Sequence, residues 1–330
     1  MIGALLATAR WVVLPLAVGL AGLWASAALW FDGAPLPAAG FAIAAAAVIL
    51  TVRPFLRAML VCAAGVAIVL SWWLSLAPSN DRDWQPDVAR PAVATIDGDE
   101  LTIRNVRNFH YRSETDYDVR WEERTYDLSK LEGADFVLSK WGSPWIAHTI
   151  VSWDFGEGEH LAISIETRKE TGEAYSAILG FFRQFELYYV VADERDVIGL
   201  RTNPRGEDVY LYRLTAKPEF VKAVLLDYLE EINRLSERPE WYNAATHNCT
   251  TTIRHHAQHV AQGRPWDWRI LANGNLDQMG YENGTVVTGG LPFETLRARS
   301  AVSERARATE VGPDYSVRIR AGLPNPEDTP

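Results

Sequence analysis

Three apolar runs fill the first 76 residues, and only Arg10, Asp32, Arg53 and Arg57 bring charge into them. No water reaches the middle of a bilayer to satisfy backbone N–H and C=O groups, so a stretch of this kind that enters one is confined to helices. The first run, residues 8–30, exceeds the roughly 20 residues needed to cross the hydrocarbon. A Phe31-Asp-Gly-Ala-Pro-Leu-Pro connection leads to a second, about 36–52, and Arg53-Pro-Phe-Leu-Arg57 leads to a third, 58–76. A secretory signal has one apolar core before a cleavage site, so three runs in succession predict retained spans over residues 1–77. Arg10, Arg53 and Arg57 mark the cytoplasmic side, whereas Asp32 and Asn80-Asp-Arg-Asp fall on the other, and the rest of the chain is expected outside the cytoplasm. Trp72 and Trp73, near the end of the third run, suit an interfacial aromatic belt.

Those 76 residues carry +2, which leaves −12 on the remainder of a chain whose net charge is −10. An acidic soluble part argues against nucleic acid and against docking on anionic lipid, both of which select basic surfaces. Membrane attachment therefore falls to the apolar N-terminus.

The soluble part reads as α+β. Residues 78–91, rich in Asp and Pro, read as a linker. A hairpin is expected from 92–96 and 101–106, turning at Asp97-Gly-Asp, and two further strands from 145–155 and 160–167, joined by Gly156-Glu-Gly-Glu. Residues 186–192 and 208–214 are β-like, and 174–185 look helical. Lys217 to Leu235 has helical spacing with Pro218 in its first turn, a favoured place for proline. Residues 304–330 read as a poorly ordered tail.

Cys249 is the only cysteine outside the apolar third, and Asn248 is placed to cap a helix that starts at it. Partial positive charge and unpaired N–H groups at a helix start lower a thiol pKa from about 8.5 into a range of about 3.5–7.5. Cys62 lies in an apolar run, so no disulfide is expected between such different surroundings. A thiolate nucleophile needs a base, and the base needs an orienting partner. Of the seven histidines, His148 stands out inside Trp145-Ile-Ala-His-Thr-Ile-Val-Ser, where an imidazole without purpose is costly to desolvate. Glu166, set among β-branched residues in the next strand, is the expected orienting group, with His160 as a competitor that directly follows a turn and is expected exposed. Arg168 shares a strand face with Glu166 and is either its ion-pair partner or an anion contact. His247 and Asn248 shape the helix start, and with Thr250 and Arg168 they are the candidates for substrate or oxyanion support. His255 and His259 have metal-ligand spacing, but no His-Glu-x-x-His pattern and no cysteine pair accompanies them, so no metal and no cofactor is expected.

Taken together, Arg107-Asn-Phe-His-Tyr-Arg-Ser-Glu, Trp145-Ile-Ala-His-Thr-Ile-Val-Ser, Ser164-Ile-Glu-Thr-Arg-Lys-Glu, Arg205-Gly-Glu-Asp-Val-Tyr-Leu-Tyr and Tyr242-Asn-Ala-Ala-Thr-His-Asn-Cys-Thr-Thr-Thr resemble the Lnb N-terminal periplasmic domain family over about residues 106–303. The histidine precedes the cysteine, an order similar to the permuted branch of the NlpC-type, papain-like superfamily. The resemblance implies a permuted papain-like periplasmic domain over 92–303, with an antiparallel sheet and a helix carrying the cysteine; the three leading spans, in which this chain departs from the family's acyltransferases, predict a multi-pass protein of the bacterial inner membrane. It also implies a cysteine-dependent acyl enzyme with Cys249 as nucleophile, His148 as base and Glu166 as third polar group.

The expected reaction is attack of the Cys249 thiolate on an ester, thioester or amide carbonyl, with acyl transfer to water or an amine. The expected partners are the bilayer and a lipoprotein, lipid or peptidoglycan substrate. Two rivals stand beside it: a cysteine peptidase or amidase acting on cell-wall peptide, and a non-catalytic envelope module in which Cys249 is simply a packed thiol.

Overall fold

The structure, a computed structural model, describes residues 9–261, 265–308 and 312–325. The chain divides into two units: the residues up to Pro78 together with Ser176–Gln184, and Ser79–Tyr175 with Phe185 onward.

In the first unit the three apolar runs are helices α1 (Leu14–Phe31, entered through a π turn at Ala9–Val13), α2 (Pro35–Thr51) and α3 (Phe55–Ser75). Trp11–Phe31 and Phe55–Ser75 are long and apolar enough to cross a membrane. Pro35–Thr51 is apolar but only 17 residues long, about 25 Å against a hydrocarbon core of about 30 Å. The expected middle span is thus a shorter apolar helix, and the start of the first run, before Ala9, lies outside the described residues. Trp73, expected in an aromatic belt, packs edge-on against Trp24.

Residues 174–185, expected helical, contain only a single 3-10 turn, Leu179–Phe181. The reason is tertiary. Phe182 packs on Phe31 with ring centroids 4.9 Å apart, and the Trp73 indole donates to the Phe182 carbonyl. Arg183 donates to the carbonyls of Trp73 and Leu74 at 2.9 and 3.2 Å, groups that the end of a helix leaves without amide partners.

The second unit is built on an eight-stranded sheet in the order β1-β2-β9-β8-β7-β6-β10, with β5 also paired to β2. The strands are β1 (Val93–Asp97), β2 (Glu100–Arg107), β5 (Trp121–Asp127), β6 (Gly133–Lys140), β7 (Ala147–Asp154), β8 (His160–Arg168), β9 (Glu186–Ala192) and β10 (Asp208–Arg213); β3 (His110–Tyr111) and β4 (Tyr117–Asp118) form a separate small ribbon. The expected antiparallel sheet is in fact mixed, because β2 meets β9 in parallel at Arg107 and Ala192. β6 was not foreseen. It is buried almost throughout, and a strand covered on both sides loses the alternation that reveals strands in sequence.

Both faces of the sheet are covered. Helix α4 (Glu194–Thr202), the short helices α9 (Ser303–Arg307) and α10 (Tyr315–Ile319) and the sheet residues Val137, Ile150, Ala162 and Val190 form one core cluster. On the other face lie α5 (Pro218–Glu237) and α6 (Cys249–Val260), where Tyr228 and His256 pack on Tyr189 and Trp153. Helices α7 (Leu276–Glu282) and α8 (Phe293–Ser300) close the edge near β10.

Two boundaries differ from expectation. The linker over 78–91 is bound down: Trp84 and Val88 are buried, and Arg168 donates to the carbonyls of Val88 and Ala89 and to the Asn80 side chain. The tail over 304–330 is ordered at 304–308 and 312–325, while residues 309–311 and 326–330 lie outside the described residues. Tyr315 and Ile319 reach the core, and the buried Arg320 pairs with Asp135 and Glu194, each at 2.6 Å. Removing one partner of such a buried pair leaves an uncompensated charge. Arg320→Ala is therefore expected to lower stability by about 3–5 kcal/mol, measured as the shift in the denaturant midpoint of the purified protein.

Candidate active site

β7 pairs with β6 along its whole length, from Gly133↔Asp154 to Lys140↔Ala147, but its pairing with β8 stops at Ile150↔Ser164. Beyond that point the two strands part, and three polar side chains surround the opening. His148 Nε2 lies 2.6 Å from Ser164 Oγ and 3.1 Å from Glu166 Oε1. Ser164 in turn donates to Glu166 Oε1 at 2.7 Å. With Nε2 committed there, Nδ1 is the ring nitrogen left to meet Cys249, whose charge is coupled to His148 and to Thr149 and whose sulfur lies 3.9 Å from the Thr250 hydroxyl. All three predicted residues of the constellation thus come together at one place, with Ser164 as an additional member.

Cys249 is the first residue of α6. Asn248 caps that helix, its side-chain oxygen accepting from the amides of Thr250 and Thr251 while the Thr251 hydroxyl accepts from the Asn248 amide. The amides of residues 250 and 251 are therefore taken by the cap. Among the described hydrogen bonds none involves the Cys249 amide, which leaves that donor at the helix start for an incoming oxygen.

The electrostatics follow from burial and near neighbours. Burial and the Arg201 charge oppose a charged imidazole, but Glu166 and the Cys249 sulfur outweigh them and His148 is raised to about 9. For Cys249, burial again opposes the charge, while the charge and hydrogen bond of His148 and the two Thr149 donors lower the thiol to about 6. Both shifts run in the direction that favours the thiolate–imidazolium pair. Burial works against Glu166 as well, yet His148 and Arg201 hold it well below the usual carboxylate range.

Arg201 was not foreseen as part of the site. Buried on α4, it donates to Glu166 Oε1 at 2.8 Å and to Glu207 Oε2 at 3.2 Å, and Glu207 also accepts from Ser139, which stands opposite His148 on β6. Glu207 lay within Arg205-Gly-Glu-Asp-Val-Tyr, a stretch the sequence singled out for resemblance alone. Asn273 was also missed. Its amide nitrogen donates to the Ala147 carbonyl at 2.6 Å and to the Thr250 hydroxyl at 2.8 Å, and its oxygen accepts from the Ala147 amide at 2.7 Å. One side chain thereby ties the start of β7 to the start of α6. Gly274 follows, donating to the Trp145 carbonyl. A Cβ there would stand 2.1 Å from the Pro144 carbonyl oxygen.

The expected support residues fare differently. The Thr250 hydroxyl accepts from Asn273 and lies 3.9 Å from the Cys249 sulfur, whereas His247 is exposed, with Nδ1 against the Thr246 hydroxyl. The Arg168 guanidinium holds the 80–89 segment and stacks 4.2 Å above Trp84, so it neither pairs with Glu166 nor faces a substrate. His160, expected exposed, is buried and lies 3.5 Å from Asp154 Oδ1, in the neighbourhood of Glu194 and Arg320 rather than of His148. The sheet explains the burial: His160 opens β8 directly opposite Asp154 of β7. His256 is buried between Tyr189 Oη at 2.7 Å and Asp227 Oδ2 at 2.5 Å. Tyr175 and Tyr242 lie close enough to Cys249 for its charge to act on both. Among the described residues no group of three His, Cys, Asp or Glu side chains is arranged to hold a metal ion.

Residues 117–274 match the family model of the Lnb N-terminal periplasmic domain. This part of the chain is similar to that family, and His148, Glu166, Arg201, Cys249 and Asn273 all fall within the match, whereas the 107–114 stretch precedes it. No curated protein and no solved structure matches the chain.

Two outcomes follow from this geometry. In a Cys62→Ser background, iodoacetamide labelling of Cys249 is expected to be half-maximal near pH 6, against about 8.5 for an ordinary thiol; a midpoint above 8 contradicts the ion pair. Gly274→Ala must push the 273–274 backbone off Pro144 and separate β7 from α6. It is expected to lose about 1–3 kcal/mol of stability, the cost of leaving the buried partners of Asn273 unmet, and to slow the labelling of Cys249 at pH 6.5.

Proposed function

We propose that this protein is a membrane-anchored, cysteine-dependent acyl hydrolase or acyltransferase of the bacterial envelope, held in the inner membrane by its apolar helices with the family domain in the periplasm. The observation that carries the reading is the buried Cys249–His148–Glu166 constellation at the start of α6, in which sulfur and imidazole are biased toward the charged pair. A cysteine at a helix start facing a strand histidine is the papain-like arrangement, here in permuted chain order.

In the proposed reaction the Cys249 thiolate adds to the carbonyl carbon of an ester, thioester or amide. A C–S bond forms, and the C=O electron pair moves to oxygen, where the free Cys249 amide donates to it. One such donor contributes about 3–4 kcal/mol to the barrier in comparable sites. The tetrahedral species collapses with loss of the leaving group, which takes the proton from His148. Water or an amine, deprotonated by the now neutral His148, then attacks the acyl-cysteine; the C–S bond breaks and the ion pair is restored. Glu166 orients the ring and stabilises its charge, and Arg201 keeps Glu166 ionised. The helices favour a donor that itself resides in the membrane, such as a lipid or a lipoprotein acyl group.

Cys249→Ser is expected to abolish turnover while leaving the fold intact. Mass spectrometry of lipoprotein N-termini and of muropeptides, from cells carrying each form, is expected to change in the lipoprotein pool alone. A change confined to muropeptides replaces this reading with a cell-wall peptidase, and no change in either pool removes it.

A further inference from the structure

The residues leading into His148 and into Asn273 display large apolar side chains that the fold leaves uncovered. Trp145, Ile146, Trp268 and Leu271 are 56, 54, 57 and 62% exposed. They are not on loose loops. Trp145 is fixed through its carbonyl by Gly274, at 3.0 Å, and the Cβ-free approach of Gly274 presses the two segments together. Trp268 opens and Leu271 follows a 3-10 turn, Trp268–Ile270, which Asp267 caps and which the buried Ile270 anchors. The indoles of Trp145 and Trp268 face one another with centroids 6.3 Å apart.

Their place relative to the sulfur is set by Asn273. The same amide nitrogen that holds the Ala147 carbonyl holds the Thr250 hydroxyl. Trp145 and Ile146 directly precede Ala147, where β7 begins, and Thr250 directly follows Cys249. The apolar rim is therefore carried by the segments that Asn273 ties to the helix start at the nucleophile. Arg269, between Trp268 and Leu271, is held away in ion pairs with both Asp267 and Glu282. Contiguous exposed apolar surface beside a reactive group marks a place where something apolar is received. Two indoles with an isoleucine and a leucine, on a domain of marked negative charge, suit a hydrocarbon and offer little to a peptide.

We propose that Trp145, Ile146, Trp268 and Leu271 form a cradle for the hydrocarbon chain of the acyl donor, so that they set the chain-length preference of Cys249. This rests on the acyl-transfer reading above and assigns a specificity element to it.

The test uses the full-length protein in detergent with p-nitrophenyl esters from acetate to decanoate, following release of p-nitrophenolate. Wild-type kcat/KM is expected to rise with chain length. In the Trp145→Ala, Trp268→Ala double variant the decanoate-to-acetate ratio is expected to fall about tenfold or more, since even one methylene of apolar contact is worth roughly that much selectivity. Labelling of Cys249 by iodoacetamide at pH 6.5, measured on the same samples, reports whether the ion pair is intact, and Trp145→Phe with Trp268→Phe is expected to restore most of the ratio. An unchanged ratio, or a loss equal at all lengths, overturns the cradle, the latter pointing to a structural or bilayer-docking rim instead. If wild-type protein forms no acyl-Cys249 with any ester while still labelling at low pH, it is the acyl-transfer reading that fails.

Discussion

Two buried arginines keep this domain's polar interior electrically tolerable. Arg201 bridges Glu166 and Glu207, and Arg320 bridges Glu194 and Asp135. Each of these carboxylates except Asp135 also accepts from a serine on one sheet face: Ser164, Ser139 and Ser152 serve Glu166, Glu207 and Glu194 in turn. An unpaired ion in such a place costs several kcal/mol, and with both kinds of partner present Glu166 and Glu194 are held below the usual carboxylate range. The candidate site inherits that condition. Glu166 remains charged through Arg201, a charged Glu166 favours the imidazolium of His148, and that cation favours the thiolate of Cys249.

A second constraint is mechanical. His148 and Cys249 are 101 positions apart in sequence, and both lie at element ends, where backbone is least restrained. Asn273 compensates by bonding across Ala147 and Thr250 at once, and Gly274 allows the chain to pass against Pro144 at a separation no side chain permits. The geometry of the sulfur and ring thus depends on a third segment that contributes no reactive group. The early end of the β7–β8 ladder supplies the opening in which all of this happens.

How much of this could be read from sequence depended on chemical contrast. His148 and Glu166 were visible because each interrupts an apolar strand, and Cys249 because it is a lone thiol beside a capping residue. Arg201 and Glu207 gave no such signal: arginine and glutamate in a short helix and a turn look like solvated surface until a fold buries them. Arg168 misled for the opposite reason. Side chains two apart on a strand share a face, yet its long stem carried the guanidinium away to the 80–89 segment. His160 and the C-terminal tail were judged from a neighbouring turn and from composition, and neither cue reports what packs on top.

The sequence by itself determined the apolar helices, the uneven charge, the α+β character, the capped helix at Cys249 and the family resemblance of the central domain, because each rests on local composition, periodicity or a contiguous motif. Only the tertiary structure decided that the sheet is mixed, that 176–184 packs with the apolar helices, that the 312–325 segment seals the core, and that Arg201 and Glu207 stand behind Glu166. Those outcomes turn on contacts between residues far apart in the chain, and contact of that kind is a property of packing and burial that no single stretch of sequence contains.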